Sequence, residues 1–120
     1  ILSEIETACP GKKKGIFVSN DTHASILVNL LVRKYGKLPE DYLIVGFDDS
    51  PASRNAIFPI STVAQQIDVL ATEAVKLLVE QIEEHKNSKH TPVSEPVHKM
   101  ITPVLIRRET TERDLLVEND

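Results

Sequence analysis

With 120 residues, 14 Lys and Arg against 18 Asp and Glu, and a formal net charge of −4, the chain has the size and balance of one acidic globular domain, large enough to bury a core without disulfides or a structural metal. The single cysteine, Cys9, has no internal partner and fits a reducing cytoplasm, no apolar run reaches the length of a membrane span, and no export signal opens the chain. The acidic balance argues against a general binder of nucleic-acid backbone, and the one basic cluster, Lys12-Lys13-Lys14, reads as a solvated loop.

In chain order, Ile1, Ile5 and Ala8 share one helical face, and Pro10-Gly11 ends that helix. The opening carries no methionine and reads as the interior of a longer protein. Gly15 to Val18 is a short apolar run of the kind expected for a strand buried on both faces. It runs into Ser19-Asn20-Asp21, where Asn20 or Asp21 suits the cap of a helix over Thr22 to Lys34. Ala24, Ile26, Leu27, Val28, Leu30, Leu31 and Val32 surround that helix almost completely, so it is expected to be buried or to meet a partner.

Gly36 closes the helix, Pro39 to Asp41 turns, and Tyr42 to Phe47 is a second buried strand ending in Asp48-Asp49. A polar loop with Pro51 and Pro59 leads to a short extended piece, Ser61 to Ala64. Ile67, Leu70, Ala71, Ala74, Val75, Leu78 and Ile82 then recur at the three- and four-residue spacing of an amphipathic helix. Glu83 to Glu95 reads as an exposed linker. Pro96 to Arg107 reads as a last strand, with Pro103 marking an edge or bulge. Glu109 to Asp120 reads as a charged, frayed tail. Alternation of strands and helices predicts an α/β fold with a parallel sheet flanked by helices.

Ligands of such sheets bind beyond the carboxyl ends of the strands, where Asn20-Asp21 and Asp48-Asp49 both fall. Asp49 and Asp21 are read as caps and local turns, and Phe47 as core. A magnesium-binding phospho-receiver corner also needs a third strand-end Asp and a strand-end Lys; Asp68 falls in a helix and Asp114 in the tail, so that enzymatic reading lacks its parts. No phosphate loop, nucleophile elbow or metal-spaced Cys/His pair is present, and His23, His85, His90 and His98 are scattered. No catalysis, metal or cofactor is expected.

The segments Ile16 to Asp21, Leu38 to Asp41, Ile44 to Asp49, Ile60 to Gln65 and Val104 to Thr110, in that order, resemble the C-terminal half of the LacI/GalR-type effector domain. Within that group, Lys13 to His23 and Tyr42 to Ser53 are most similar to arabinose-responsive repressors of the AraR type from bacilli. The resemblance implies a periplasmic-binding-protein-like fold, with residues 1–110 the C-terminal part of a two-lobed domain and 111–120 a tail. It also implies a cytoplasmic repressor that senses a sugar, L-arabinose above all, and binds operator DNA through a GntR-type head outside this chain. Homodimerisation through Thr22 to Lys34 and Arg54 to Phe58 is implied too. The family's sugar contacts fall on Asn20, Asp48 and Gln65. These residue types suit sugar recognition, since a carboxylate accepts from two sugar hydroxyls and carboxamides both donate and accept. Asn20 can cap a helix as well, and Asp48 can instead cap the Ser50-Pro51 turn. With no Trp, two Tyr and three Phe, an aromatic sugar platform is expected in the other half of such a domain. A soluble sugar-binding protein without DNA function is the alternative.

Overall fold

A computed structural model describes residues 1–87 and 95–113 of the protein. The chain divides into two units, Ile1–Ala64 with Val104–Asp120, and Gln65–Pro103.

The first unit is built on a four-stranded sheet in the order β1 (Lys14–Phe17), β2 (Tyr42–Phe47), β3 (Ser61–Ala64) and β4 (Val104–Ile106). β1, β2 and β3 run parallel, with Ile16 opposite Ile44 and Phe47 opposite Val63. β4 pairs antiparallel to β3, Ala64 opposite Val104. The sheet is thus parallel over its first three strands, as the alternation leads one to expect, with β4 added antiparallel at its edge; that last strand is three residues long, far shorter than the span from Pro96 to Arg107. Pro103 immediately precedes the pairing, consistent with its missing N–H donor.

Side chains alternate across the strands, so Tyr42, Ile44 and Gly46 face α2 (Asp21–Tyr35) and are buried, while Leu43, Val45 and Phe47 face the other way and are half-buried. α2 meets the sheet with Ala24, Val28 and Leu31, all at 0% exposure, at the spacing of one helical face. Burying each of the two larger side chains is worth about 1.5–3 kcal/mol. Ile26 and Leu30 stay exposed on the opposite face, so of the two expectations for this helix, burial or a partner, burial within this chain holds for one face only. Gly36, at φ 73°, ends α2 in the left-handed conformation and returns its N–H to the Val32 carbonyl. α1 (Leu2–Ala8) adds Leu2 and Ile5 to the core, and its Glu6 lies 3.0 Å from the Lys34 ammonium.

Three local expectations are corrected. Lys14 is buried, not part of a solvated loop: its ammonium donates to Asp41 Oδ2 at 2.7 Å and to the Lys12 carbonyl at 2.9 Å. The Lys14–Asp41 hydrogen bond, ahead of all else, holds the Asp41 carboxyl below its ordinary range. The polar loop after β2 contains a short helix, α3 (Pro51–Asn55), with Pro51 at its start, where a missing N–H costs nothing. Thr110 to Arg113 are not frayed. The fully buried Thr110 hydroxyl donates to the Ile44 carbonyl at 2.7 Å and accepts from Ser61 N–H at 2.9 Å, and Arg113 donates to the carbonyls of Leu38, Pro39 and Tyr42. The rest of the tail, 114–120, lies outside the described residues.

In the second unit α4 (Ile67–Asn87) continues through Glu83 to Asn87, where the sequence reads as linker; 88–94 lie outside the described residues. Gln66 Nε2 donates to the Thr102 carbonyl at 2.7 Å, and Lys99 contacts Glu73, whose carboxyl this bond lowers. No residue of α4 is buried, and Ile67, Val75, Leu78 and Ile82 present its apolar stripe to solvent. No helix among the described residues is long and apolar enough to cross a membrane.

Candidate functional site

β1 and β2 are parallel neighbours, so the residues that follow them emerge at one edge of the sheet. Each strand extends its ladder by one bond before it diverges: Val18 N–H donates to the Val45 carbonyl at 2.8 Å, and Asp48 N–H to the Val63 carbonyl at 2.9 Å. Asn20-Asp21 and Asp48-Asp49 stand at these two ends.

Asn20 has extended backbone and caps α2, its Oδ1 accepting from His23 N–H at 2.9 Å. Its Nδ2 lies 3.4 Å from His23 Nδ1, and Ser19 Oγ lies 3.5 Å from the same ring nitrogen. Capping therefore uses the acceptor atom of Asn20, and the amide nitrogen is the atom suited to a ligand hydroxyl. His23, read from sequence as a scattered surface histidine, shares this edge; its three-residue spacing from the cap was the available signal.

Asp21 is neither cap nor local turn. It is 1% exposed, and its carboxylate ties together three segments, Oδ1 accepting from Thr62 Oγ1 at 2.6 Å and Oδ2 from Ser50 N–H at 2.7 Å. Gly46 makes room for it: a Cβ there would overlap Asp21 Oδ1 and lie 3.3 Å from Asp21 Cα and 3.4 Å from Ala24 Cβ.

The second pair divides in the same way. Asp48 is exposed, at φ 103°, and Asp49 follows at φ 50°. The second value lies in the left-handed basin that Asp tolerates, whereas the first lies beyond it, at a cost of about 1–3 kcal/mol. Asp49 lies in the turn, as read from the sequence, but its side chain points inward to partners that are not local. Its Oδ1 accepts from Arg108 Nη2 at 2.6 Å, its Oδ2 lies 3.6 Å from Arg54 Nη1, and its N–H donates to Thr62 Oγ1 at 3.3 Å. Nothing local in the sequence points to Arg108 or Thr62, because Thr62 comes from β3 and Arg108 from the segment that follows β4.

Gln65, the third predicted contact, follows β3 directly. It opens the second unit, half-buried, with its carbonyl accepting from Ile67 N–H at 2.8 Å. The structure thus brings Asn20 and Asp48 to one sheet edge and assigns Gln65 to the other unit. Phe47 is half-buried rather than core and meets Phe17 edge-to-face at 6.3 Å between ring centroids; Phe17 itself is 64% exposed. An aromatic surface thus accompanies the strand ends within this chain. Among the described residues no three His, Cys, Asp or Glu side chains cluster as metal ligands would. A carboxylate acceptor, an amide donor and an aromatic surface at one edge suit a small polyhydroxylated ligand, whose C–H face can pack on a ring.

Residues 2–111 match the periplasmic binding protein-like domain family. The ribose operon repressor of Bacillus subtilis is 32% identical over 100 residues, which is 83% of this chain and 29% of that protein. The HTH-type transcriptional repressor PurR of Haemophilus influenzae is 35% identical over 97 residues, 81% of this chain and 28% of that protein. Among solved structures, the transcriptional regulator CelR in complex with cellobiose superposes with a TM-score of 0.67 at 27% identity, covering 80% of this chain and 27% of that one. The lac repressor dimer bound to operator and the anti-inducer ONPF gives 0.65 at 23% identity, over 81% of this chain and 31% of that one, a likeness of fold. The chain spans less than a third of the length of these curated relatives, which are transcriptional repressors.

Proposed function

The chain belongs to the periplasmic-binding-protein-like domain family, and from that premise we propose that residues 1–110 are the C-terminal part of the effector-binding domain of a sugar-responsive bacterial repressor, with 111–120 as its tail. The effector is L-arabinose, on the likeness of Lys13 to His23 and Tyr42 to Ser53 to the arabinose-responsive repressors. Operator DNA is bound through a GntR-type head outside this chain, in the cytoplasm. The chain itself catalyses nothing. Sugar held by Asn20, Asp48 and Gln65 shifts the repressor toward a state with lower operator affinity. Exposed Ile26, Leu30 and Ile57 support a homodimer surface over Thr22 to Lys34 and Arg54 to Phe58, to be checked by sedimentation over a range of concentrations.

The observation that carries the reading is Asp48: of four polar residues at the two strand ends, it is the one that is exposed and held in unfavourable backbone. The test is Asp48→Asn in the whole gene product that carries this segment. Charge-assisted bonds to two hydroxyls weaken while shape is kept, so L-arabinose at half-maximal operator release should rise about 10- to 100-fold, with operator affinity in its absence unchanged. Unaltered release with a lowered melting temperature would make Asp48 a turn residue. Release by D-ribose or cellobiose but not by L-arabinose would keep the site and replace the sugar.

A further inference from the structure

Arg108 follows β4 and lies 59 positions from Asp49 in sequence, yet its guanidinium is the closest cation to that carboxylate. It is fastened at both ends. Its backbone N–H donates to Ser61 Oγ at 2.7 Å, and its carbonyl accepts from the same hydroxyl at 3.1 Å. At the far end Nη1 donates to Ser53 Oγ at 2.9 Å and to the Ile60 carbonyl at 3.1 Å, leaving Nη2 aimed at Asp49 Oδ1, 2.6 Å away. A planar fork held in this manner has little freedom, so the carboxylate adapts to the arginine.

That has a consequence for the turn. The N–H groups of Asp49 and Ser50 are drawn inward by Thr62 Oγ1 and Asp21 Oδ2, and the Asp49 side chain is drawn inward by Arg108. The backbone absorbs these pulls one residue earlier, at Asp48, whose φ of 103° no local preference favours. We infer that Arg108 is a positioning residue for Asp48: its ion pair with Asp49 holds the turn in the conformation that presents the Asp48 carboxylate at the strand ends. The inference rests on the reading of Asp48 as the effector contact, and it places a determinant of effector sensitivity beside a strand that carries none of the three contact residues. Arg54, exposed and 3.6 Å from the other oxygen, is the weaker partner.

The test uses the whole gene product, with L-arabinose, D-ribose and cellobiose as effectors and operator release as the readout. Arg108→Met keeps much of the length and loses the fork; the sugar concentration for half-release should rise roughly tenfold, with operator affinity in its absence unchanged. Asp49→Asn, which breaks the pair from the other side, should match it, and the double variant should be no worse than either. Arg108→Lys, with a point charge instead of a fork, should fall between. Val28→Ala, a core cavity under α2, should lower the melting temperature without moving half-release, which separates positioning from general stability. Unchanged half-release in Arg108→Met and Asp49→Asn, beside the raised half-release in Asp48→Asn, overturns the inference and leaves the function intact. A normal response in Asp48→Asn, or release by none of the three sugars in the unaltered protein, overturns the functional reading and the inference with it.

Discussion

The two strand ends carry nearly the same letters, Asn20-Asp21 after β1 and Asp48-Asp49 after β2, and the fold treats them alike in one respect and oppositely in another. In both, the second residue turns inward as an anchor: Asp21 accepts from Thr62 and Ser50, and Asp49 pairs with Arg108. In both, the first residue stays at the edge. The difference lies in backbone cost. Asn20 sits in relaxed extended backbone because a helix begins there and its side chain serves as the cap. Asp48 has no such helix directly after it and takes φ 103°. An Asn or Asp at a strand end is thus ambiguous between support and contact until its neighbours' hydrogen bonds are traced.

The contrast can be broken most severely through Gly46. A methyl there collides with Asp21, which is buried and has nowhere to go, so Gly46→Ala should cost about 3 kcal/mol or more, read as a fall in the urea midpoint. Little change would mean that Asp21 is not fixed where the anchor role requires it. Asp21→Ala should come next, at about 2–3 kcal/mol, because the Thr62 hydroxyl and Ser50 N–H lose a buried acceptor. Asp21→Asn, which keeps one acceptor oxygen, should cost less.

The first positions of the pairs should respond with opposite signs. Asn20→Ala removes a cap and should destabilise by about 1 kcal/mol. Asp48→Gly relieves the positive φ and should stabilise by up to about 1 kcal/mol, while effector response is lost. Thermal melts of the two variants side by side would sharpen the distinction; a destabilised Asp48→Gly would show that the Asp48 side chain supports the fold.

The smallest effect lies outside both pairs. The Lys14 hydrogen bond lowers the Asp41 carboxyl, so its contribution is present above the unfolded carboxylate value near about 4 and fades as pH falls through the lower folded value. Asp41→Asn should flatten the acid limb of a stability profile below about pH 4, slightly, because Asp41 is partly exposed and screened. An unchanged acid limb would place its origin in other carboxylates.

Much of this was legible in the sequence because it is local. Apolar runs bounded by turn residues placed β1, β2 and β3 to within a residue or so, three- and four-residue spacing placed α4, and the order of short motifs pointed to the family that the 2–111 match shows. The pairs Asn20-Asp21 and Asp48-Asp49 were legible as candidates because parallel strands send their carboxyl ends to one edge, and the choice of Asn20 and Asp48 within them came from the family resemblance. The tertiary structure decided what no window of sequence contains. Arg108 meets Asp49 and Thr62 meets Asp21 only because β3 pairs beside β2 and β4 in turn pairs beside β3. Lys14 left a basic run for the interior because Asp41, 27 positions on, waited there with a compensating charge. α4 reached past its expected end because helix propensity in Glu83 to Asn87 met no breaker. Spacing and propensity act over a few residues and survive in the letters; the partners of buried charges are chosen by long-range closure, which a single sequence does not spell out.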